Sequence, residues 1–404
     1  MAFVLSLRRS TIPLLAILLA MAVASSAPHG VSQSTARETV PANFETLSRQ
    51  AMDALNADNL DKAEPLFRKA LALNPKWAEG WWSLGTSFYD QNRFAEASLA
   101  FQKVVALDPT HGTAHALLGL SLFELGDDAG ALKNIEESKK YGTSVDPQLR
   151  DVIFYHEGVL LQRKGLFEAA QKPFSSLCLG GNRNPQLLQA FGMAALHMRS
   201  RNFPVPGTEA QRVVATVGQA ACLAAHHDFD IAKSVFTQAI ATYPNFPFLH
   251  FAFGRELLAA HEIPDAIEQF KLELKIAAPL DRVISLLQIA AAEYKVDSAA
   301  GMPYVQKAIA LDPNSPFPHF LLGLLLMDTG AYQKAIPELQ IARKGMPEDT
   351  KVLWVLSTAY SHVGRMHDAA EAREKFLALK QKDSQQAAGE NPDVPVETNG
   401  EAPR

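Results

Sequence analysis

The chain has 404 residues, of which 48% are hydrophobic, and its formal net charge is −5. This composition is typical of a folded protein and excludes a chain that is disordered throughout. It also argues against nucleic acid as a partner, because Lys and Arg are mixed with Asp and Glu along the chain and form no concentrated basic segment.

Residues 1–24 are predicted to be a secretory signal peptide. Arg8 and Arg9 supply its positive charge, residues 11–23 form an uncharged apolar run, and small residues lead up to Ala24. The apolar run is shorter than the roughly 20 residues that a membrane-spanning helix needs. We therefore expect cleavage near Ala24, with an uncleaved anchor as the alternative. The mature chain would carry no membrane span and would lie in the periplasm or outside the cell.

A flexible linker is predicted at residues 25–43, which are polar and contain Pro and Gly. From residue 44 the chain repeats, and Pro75 and Pro109 lie 34 residues apart. Before each such proline, an Ala, a bulky apolar residue and usually a small residue recur at fixed spacing. The clearest copies are DKAEPLFRKALALNP at 61–75, FAEASLAFQKVVALDP at 94–109, FDIAKSVFTQAIATYP at 229–244 and YQKAIPELQIARKGMP at 332–347.

The first half of each copy carries a second periodic pattern. Four residues follow the spacing i, i+3, i+4, i+7 and so share one face of a helix: Trp81, Leu84, Gly85 and Phe88. The next copy repeats this spacing at His115, Leu118, Gly119 and Leu122. A glycine such as Gly126 then separates the two halves, so each copy is predicted to be a helix–turn–helix unit.

This pattern resembles the tetratricopeptide repeat, a 34-residue unit with W-x2-L-G-x2-Y, then A-x3-F, then P. The resemblance covers about residues 44–380. It implies an all-α fold, an α-solenoid in which helix–turn–helix repeats stack into a right-handed superhelix. Small residues at the Ala and Gly positions would allow close helix approach, and Pro would end the second helix. Because one repeat cannot bury its own apolar face, neighbouring repeats must stack.

The repeats are predicted to form two arrays. About four repeats fill residues 44–182, and about five fill residues 213–380, one of them degenerate. Between the arrays, residues 183–212 break the pattern twice around one helix, so this irregular joint is either a hinge or a loop insertion. Residues 381–404 are polar, contain three prolines and are predicted to be a disordered tail.

The resemblance also implies where a partner would bind, because the first helix of each repeat lines the groove in this family. Transferred by register, the groove positions of this chain are rich in aromatic residues and nearly free of cations, so we expect an apolar or aromatic peptide segment, or a helix. The alternative is that these aromatic side chains pack between repeats as core. The candidate contact residues are Trp82, Tyr89, Phe123, Tyr155, Phe248, Phe251, Arg255, Phe317, Phe320 and Trp354.

No sequence motif indicates catalysis. The chain contains no H-E-x-x-H, C-x-x-C, phosphate-binding glycine loop or G-x-S-x-G. We therefore predict no catalytic residue, no cofactor and no metal. The densest polar cluster, residues 226–230 (HHDFD), falls in a predicted turn and is interpreted as a solvated turn.

Two further residue types are interpreted as structural. His250 and His319 occupy the position of Trp81 in their own repeats and are predicted to pack inside the stack. Cys178 and Cys222 are the only cysteines, and they either pair with each other in an oxidising compartment or are two small buried side chains.

The sequence therefore predicts an exported, non-enzymatic scaffold or adaptor that binds a protein or peptide in its groove. A self-associating structural repeat protein, which would form homo-oligomers, is the alternative. An accessory subunit of an enzyme is a more remote one, because the repeats leave no room for a catalytic domain.

Overall fold

The computed structural model describes residues 42–142, 147–199, 201–294 and 299–390. Within these residues the chain forms nineteen helices and no strand, which confirms the predicted all-α fold of helical repeats. The predicted signal peptide, the linker up to residue 41 and the tail from residue 391 lie outside the described residues. The chain divides into two compact units between Val205 and Pro206, inside the predicted joint.

The first unit contains four helix pairs, and each pair matches one predicted repeat. The first helix of a pair is followed by a short turn and then by the second helix. The pairs are α1 (Ala42–Asn56) with α2 (Leu60–Leu73), α3 (Ala78–Asp90) with α4 (Phe94–Leu107), α5 (Gly112–Glu124) with α6 (Asp128–Tyr141), and α7 (Pro147–Lys164) with α8 (Phe167–Leu179). A single helix, α9 (Pro185–Ala195), follows where the joint was predicted to contain one helix, and it packs on α8 and α7.

The second unit contains five helix pairs, including the degenerate repeat. They are α10 (Glu209–Ala225) with α11 (Phe229–Thr242), α12 (Leu249–Ala259) with α13 (Ile263–Ile276), α14 (Arg282–Tyr294) with α15 (Met302–Leu311), α16 (Pro316–Asp328) with α17 (Tyr332–Gly345), and α18 (Thr350–His362) with α19 (Met366–Glu390). The last helix continues ten residues into the segment that we expected to be disordered. Lys, Gln and Ala, which favour helix, fill much of residues 381–388, and the first proline comes at Pro392.

Close contact between the two helices of a pair explains the recurring small residues. A Cβ atom added at Gly85 would lie 2.9 Å from the ring of Phe101, and one added at Gly254 would lie 2.7 Å from the ring of Phe270. Both phenylalanine side chains are fully buried. Truncating such a ring typically costs about 3–5 kcal/mol, so these contacts are a major source of the stability of each pair.

In several repeats, a ring side chain of the first helix is hydrogen-bonded to the end of the previous repeat. The Nε1–H of Trp81 donates to the carbonyl oxygen of Pro75 at 2.9 Å. Nε2 of His319 makes the equivalent bond to the carbonyl oxygen of Pro313 at 3.0 Å. The side chains of His250 and His319 are both buried. The predicted packing role of the two histidines is confirmed.

Candidate partner-binding site

Three aromatic side chains of the first unit are partly exposed on the first helices of neighbouring repeats. Trp82 and Tyr89 are seven residues apart on α3, which is two helical turns along the same side. Phe123 lies on α5, 34 residues after Tyr89 and so at the same repeat position. We call Trp82, Tyr89 and Phe123 the aromatic face.

The indole of Trp82 is fixed by two neighbouring rings. It stacks on the imidazole of His111 at 5.0 Å and meets the ring of Phe101 edge-on at 5.8 Å. His111 is itself held, because its Nδ1 accepts a hydrogen bond from the backbone N–H of Ala114 at 3.2 Å as the N-cap of α5. A partner that contacts Trp82 would therefore meet a ring whose position is already set, which lowers the entropic cost of binding.

Tyr89 offers a hydroxyl group beside an apolar ring. The ring packs edge-on against Phe94 at 5.5 Å. Burial raises the pKa of Tyr89 above its usual value, and the carboxylates of Glu124 and Asp90 raise it further. The phenol therefore stays protonated at neutral pH.

Phe123 lies between an imidazole and a guanidinium group. His156 meets its ring edge-on at 4.5 Å, and the guanidinium carbon of Arg163 lies 4.5 Å from the ring centroid. Burial lowers the pKa of His156 to about 4, so this imidazole is neutral at pH 7. Asp128 holds Arg163 through a 3.0 Å ion pair. The aromatic face therefore ends beside a positioned cation that can stack on π systems.

Three of the predicted contact residues are buried. Phe251 is 1% exposed and packs on Phe270 at 5.7 Å, while Tyr155 and Phe320 are 8% and 9% exposed. The burial of these three side chains favours the alternative that they pack between repeats as core over the prediction that they contact a partner. Their residue type could not reveal this, because the same aromatic side chains suit a groove and a core.

The other predicted residues of the second unit remain at least partly exposed. Phe317, at the N-terminal turn of α16, is 51% exposed. Trp354 contacts Phe376 at 5.3 Å. Phe248 and Arg255 are partly exposed at the start and in the middle of α12.

Within the described residues, the single group of three potential metal ligands is His367, Asp368 and Glu371. All three lie on α19 and are largely exposed, and Arg365 and Lys375 pair with the two carboxylates. The HHDFD cluster begins in the turn between α10 and α11, as predicted. No helix in the described ranges is both long enough and apolar enough to cross a membrane.

The cysteines do not offer an accessible nucleophile. Cys178 and Cys222 are both buried, and no cysteine of the described chain is a free thiol. A catalytic cysteine would need an exposed thiolate next to a base.

The surface also has a cavity that the sequence analysis did not predict. A cavity of about 550 Å³ lies between α10 and α11. The signal for it was present, because Thr216 stands at the repeat position that Trp81, His250 and His319 fill with rings.

Comparison with known proteins agrees with the repeat architecture. The profile of the tetratricopeptide repeat family matches residues 48–111 and 83–138. Cellulose synthase operon protein C of Escherichia coli K12 is 46% identical over 57 residues, which are 14% of this chain and 5% of that protein. The match therefore spans only a small part of that relative.

Solved structures of repeat proteins are also similar to parts of the chain. A crystal structure of MamA shares 21% identity, covering 41% of this chain and 96% of that chain with a TM-score of 0.38. YrrB, described as a TPR protein with an unusual peptide-binding site, shares 16% identity over 43% of this chain and 89% of its own, with a TM-score of 0.36.

Proposed function

This chain is a tetratricopeptide-repeat protein, and we propose that it is an exported, non-catalytic scaffold that binds a partner polypeptide along its aromatic face. A tetratricopeptide-repeat fold supports protein–protein interaction in general. The observation that carries the finer proposal is that Trp82, Tyr89 and Phe123 are all partly exposed, and that each ring is fixed by neighbouring side chains.

The chemistry of the face favours a peptide with apolar or aromatic side chains. Partly exposed Trp and Tyr rings dominate binding energy at protein interfaces when they are rigid and centrally placed. The guanidinium of Arg163 lies against the ring of Phe123 and adds a cationic group beside it. We therefore propose an extended segment or helix that places apolar side chains on Trp82 and Phe123.

Peptide selection tests this proposal without knowledge of the natural partner. A random peptide library displayed on phage is selected against the chain lacking residues 1–24, and the affinity of a selected peptide is measured by fluorescence polarisation. We expect Trp82→Ala to weaken binding at least about tenfold. Leu99→Ala is the matched control, because Leu99 is 62% exposed on the second helix of the same repeat.

Two outcomes would reject the proposal. One is a selected peptide that binds Trp82→Ala as tightly as the unchanged protein while circular dichroism shows intact helices. The other is an equal loss of affinity in Leu99→Ala and Trp82→Ala, which would place binding elsewhere on the repeat.

Export is the second part of the proposal and rests on residues 1–24. The absence of a free cysteine among the described residues fits an oxidising compartment. N-terminal sequencing of the protein from cell fractions tests it. We expect Ser25 as the first residue in the exported fraction, whereas a cytoplasmic protein that keeps residues 1–24 would contradict export.

A further inference from the structure

The cavity between α10 and α11 lies where other repeats of this chain place a ring side chain of their own first helix. In the third repeat of the chain, Nδ1 of His115 lies 3.0 Å from Oδ1 of Asn134, nineteen residues later, on the second helix of the pair. The ring of His115 also stacks on Tyr141, twenty-six residues later, with centroids 6.0 Å apart. The space between the two helices at these positions is therefore a slot for a ring.

Two repeats of the second unit fill the same slot in the same way. Nδ1 of His250 lies 2.7 Å from Oε1 of Gln269, again nineteen residues later. Nδ1 of His319 lies 2.6 Å from Oε2 of Glu338, at the same separation. In each case the first helix supplies a ring and the second helix supplies its polar contact.

The repeat formed by α10 and α11 lacks this ring. His115 precedes Ala131, the recurring alanine of the second helix, by sixteen residues, and Thr216 precedes the equivalent Ala232 by the same distance. The residues nineteen and twenty-six positions after Thr216 are Val235 and Thr242. Thr216, Val235 and Thr242 all line the cavity of about 550 Å³. The cavity is therefore the ring slot with a threonine in place of the ring.

We propose that this slot binds the indole ring of a tryptophan side chain that a partner polypeptide supplies. Ala215, Val235 and Ala239 contribute apolar lining, and the side-chain carbonyl oxygens of Gln219 and Gln238 can accept a hydrogen bond from the indole N–H. Trp81 shows that this repeat position accommodates an indole ring, whose N–H donates there to the carbonyl oxygen of Pro75.

The charges of the slot select indole over imidazole and over a cationic side chain. No carboxylate lines the cavity, whereas Glu338 stands beside the ring of His319. The one charged residue of the lining is Arg212, whose Nε donates to the hydroxyl of Tyr243 at 3.0 Å. A guanidinium group at the end of the slot is attracted to an electron-rich ring and repels an imidazolium.

The inference does not rest on the proposed function. The slot is built entirely from residues 211–243 of the second unit, and the aromatic face belongs to the first unit. Loss of peptide binding through Trp82 and loss of indole binding here are separate results.

N-acetyl-L-tryptophan amide is the probe for a titration of the full chain by saturation-transfer NMR. We expect saturable binding to the unchanged protein and no binding of N-acetyl-L-alanine amide. In Thr216→Trp the chain's own indole fills the slot, so we expect probe affinity to fall at least tenfold. We also expect the melting temperature to rise by about 2–4 °C, since a filled slot buries more apolar surface.

Two further variants make the test decisive. Thr237→Trp places an indole on an exposed position of α11 that does not line the cavity, and it should bind the probe as the unchanged protein does. Thr216→His should also block the probe, because other repeats hold His at this position, and it replaces Thr216→Trp if that variant fails to fold. Absence of saturable binding to the unchanged protein, or equal binding to the folded Thr216 variant, would overturn the inference.

Discussion

The side-chain carboxylate of Glu273 accepts a hydrogen bond from the backbone N–H of Phe248 at 2.9 Å. It accepts a second one from the N–H of Phe251 at 3.2 Å, and Glu273 is only 1% exposed. Phe248 is the N-cap residue of α12, with a φ of 63°, and its own side chain makes no capping bond. The carboxylate of Glu273, on the second helix of the pair, therefore caps the N-terminus of α12 in place of an N-cap side chain.

Removing this carboxylate should destabilise the second unit. Glu273→Ala leaves two helix N–H groups buried without an acceptor, and we expect a loss of about 2–4 kcal/mol in the free energy of unfolding. Urea denaturation followed by circular dichroism measures this loss. Glu268→Ala is the control on the same helix, because the Glu268 side chain is 65% exposed and pairs with Lys271 at the surface. Equal stability of the two variants would contradict the capping role.

The same carboxylate should give a characteristic pH dependence. Burial raises the pKa of Glu273 above its usual value of 4.5, although the bonds from Phe248 and Phe251 oppose this rise. A raised pKa means that the folded state binds the proton more tightly than the unfolded state does. The stability contributed by protonation is therefore fully present below pH 4.5 and is lost as pH rises through the folded-state pKa.

The comparison with Glu273→Gln isolates this effect. Urea unfolding of both proteins between pH 4 and pH 7 should show the unchanged protein losing stability relative to Glu273→Gln as pH rises. A difference that grows in favour of the unchanged protein with rising pH would mean that the pKa is lowered, against this account.

Because α12 and α13 approach closely, we expect a side chain larger than glycine at position 254 to destabilise the fold. A Cβ atom there would lie 2.7 Å from the buried ring of Phe270, so Gly254→Ala should cost about 1–3 kcal/mol through overpacking. Gly180→Ala is the matched control, because the nearest atom to its added Cβ is a carbonyl oxygen at 3.4 Å and its φ is −71°. Thermal unfolding of the two variants checks the prediction, which fails if Gly254→Ala melts no lower than Gly180→Ala.

The repeat positions of small residues and prolines were enough to predict the helix pairs. Gly85 and Pro75 are required by close helix packing and by helix ending, and both depend only on local spacing. The capping role of Glu273 could not be predicted in this way. From its sequence alone, a glutamate within a helix is expected to be a solvated charge. Glu273 instead accepts a backbone hydrogen bond from a turn that lies 25 residues earlier in the chain.

The candidate site was predictable only in part for a related reason. Trp82 and Phe251 occupy the same repeat position, yet Trp82 is partly exposed and Phe251 is buried. Both rings contact the equivalent phenylalanine of the second helix, Phe101 for Trp82 and Phe270 for Phe251, so neither the residue type nor this shared contact predicts the exposure. Side-chain exposure therefore had to come from the structure.

Site-specific photocrosslinking tests directly whether a peptide binds along the aromatic face. The photoreactive amino acid p-benzoylphenylalanine replaces Tyr89, Phe123 or Leu99, one at a time, and each protein is irradiated with a selected peptide. We expect positions 89 and 123, which lie on the aromatic face, to crosslink to the peptide. Position 99 on α4 should give no crosslink. Crosslinks from position 99 alone, or from none of the three positions with a peptide that still binds, would contradict this expectation.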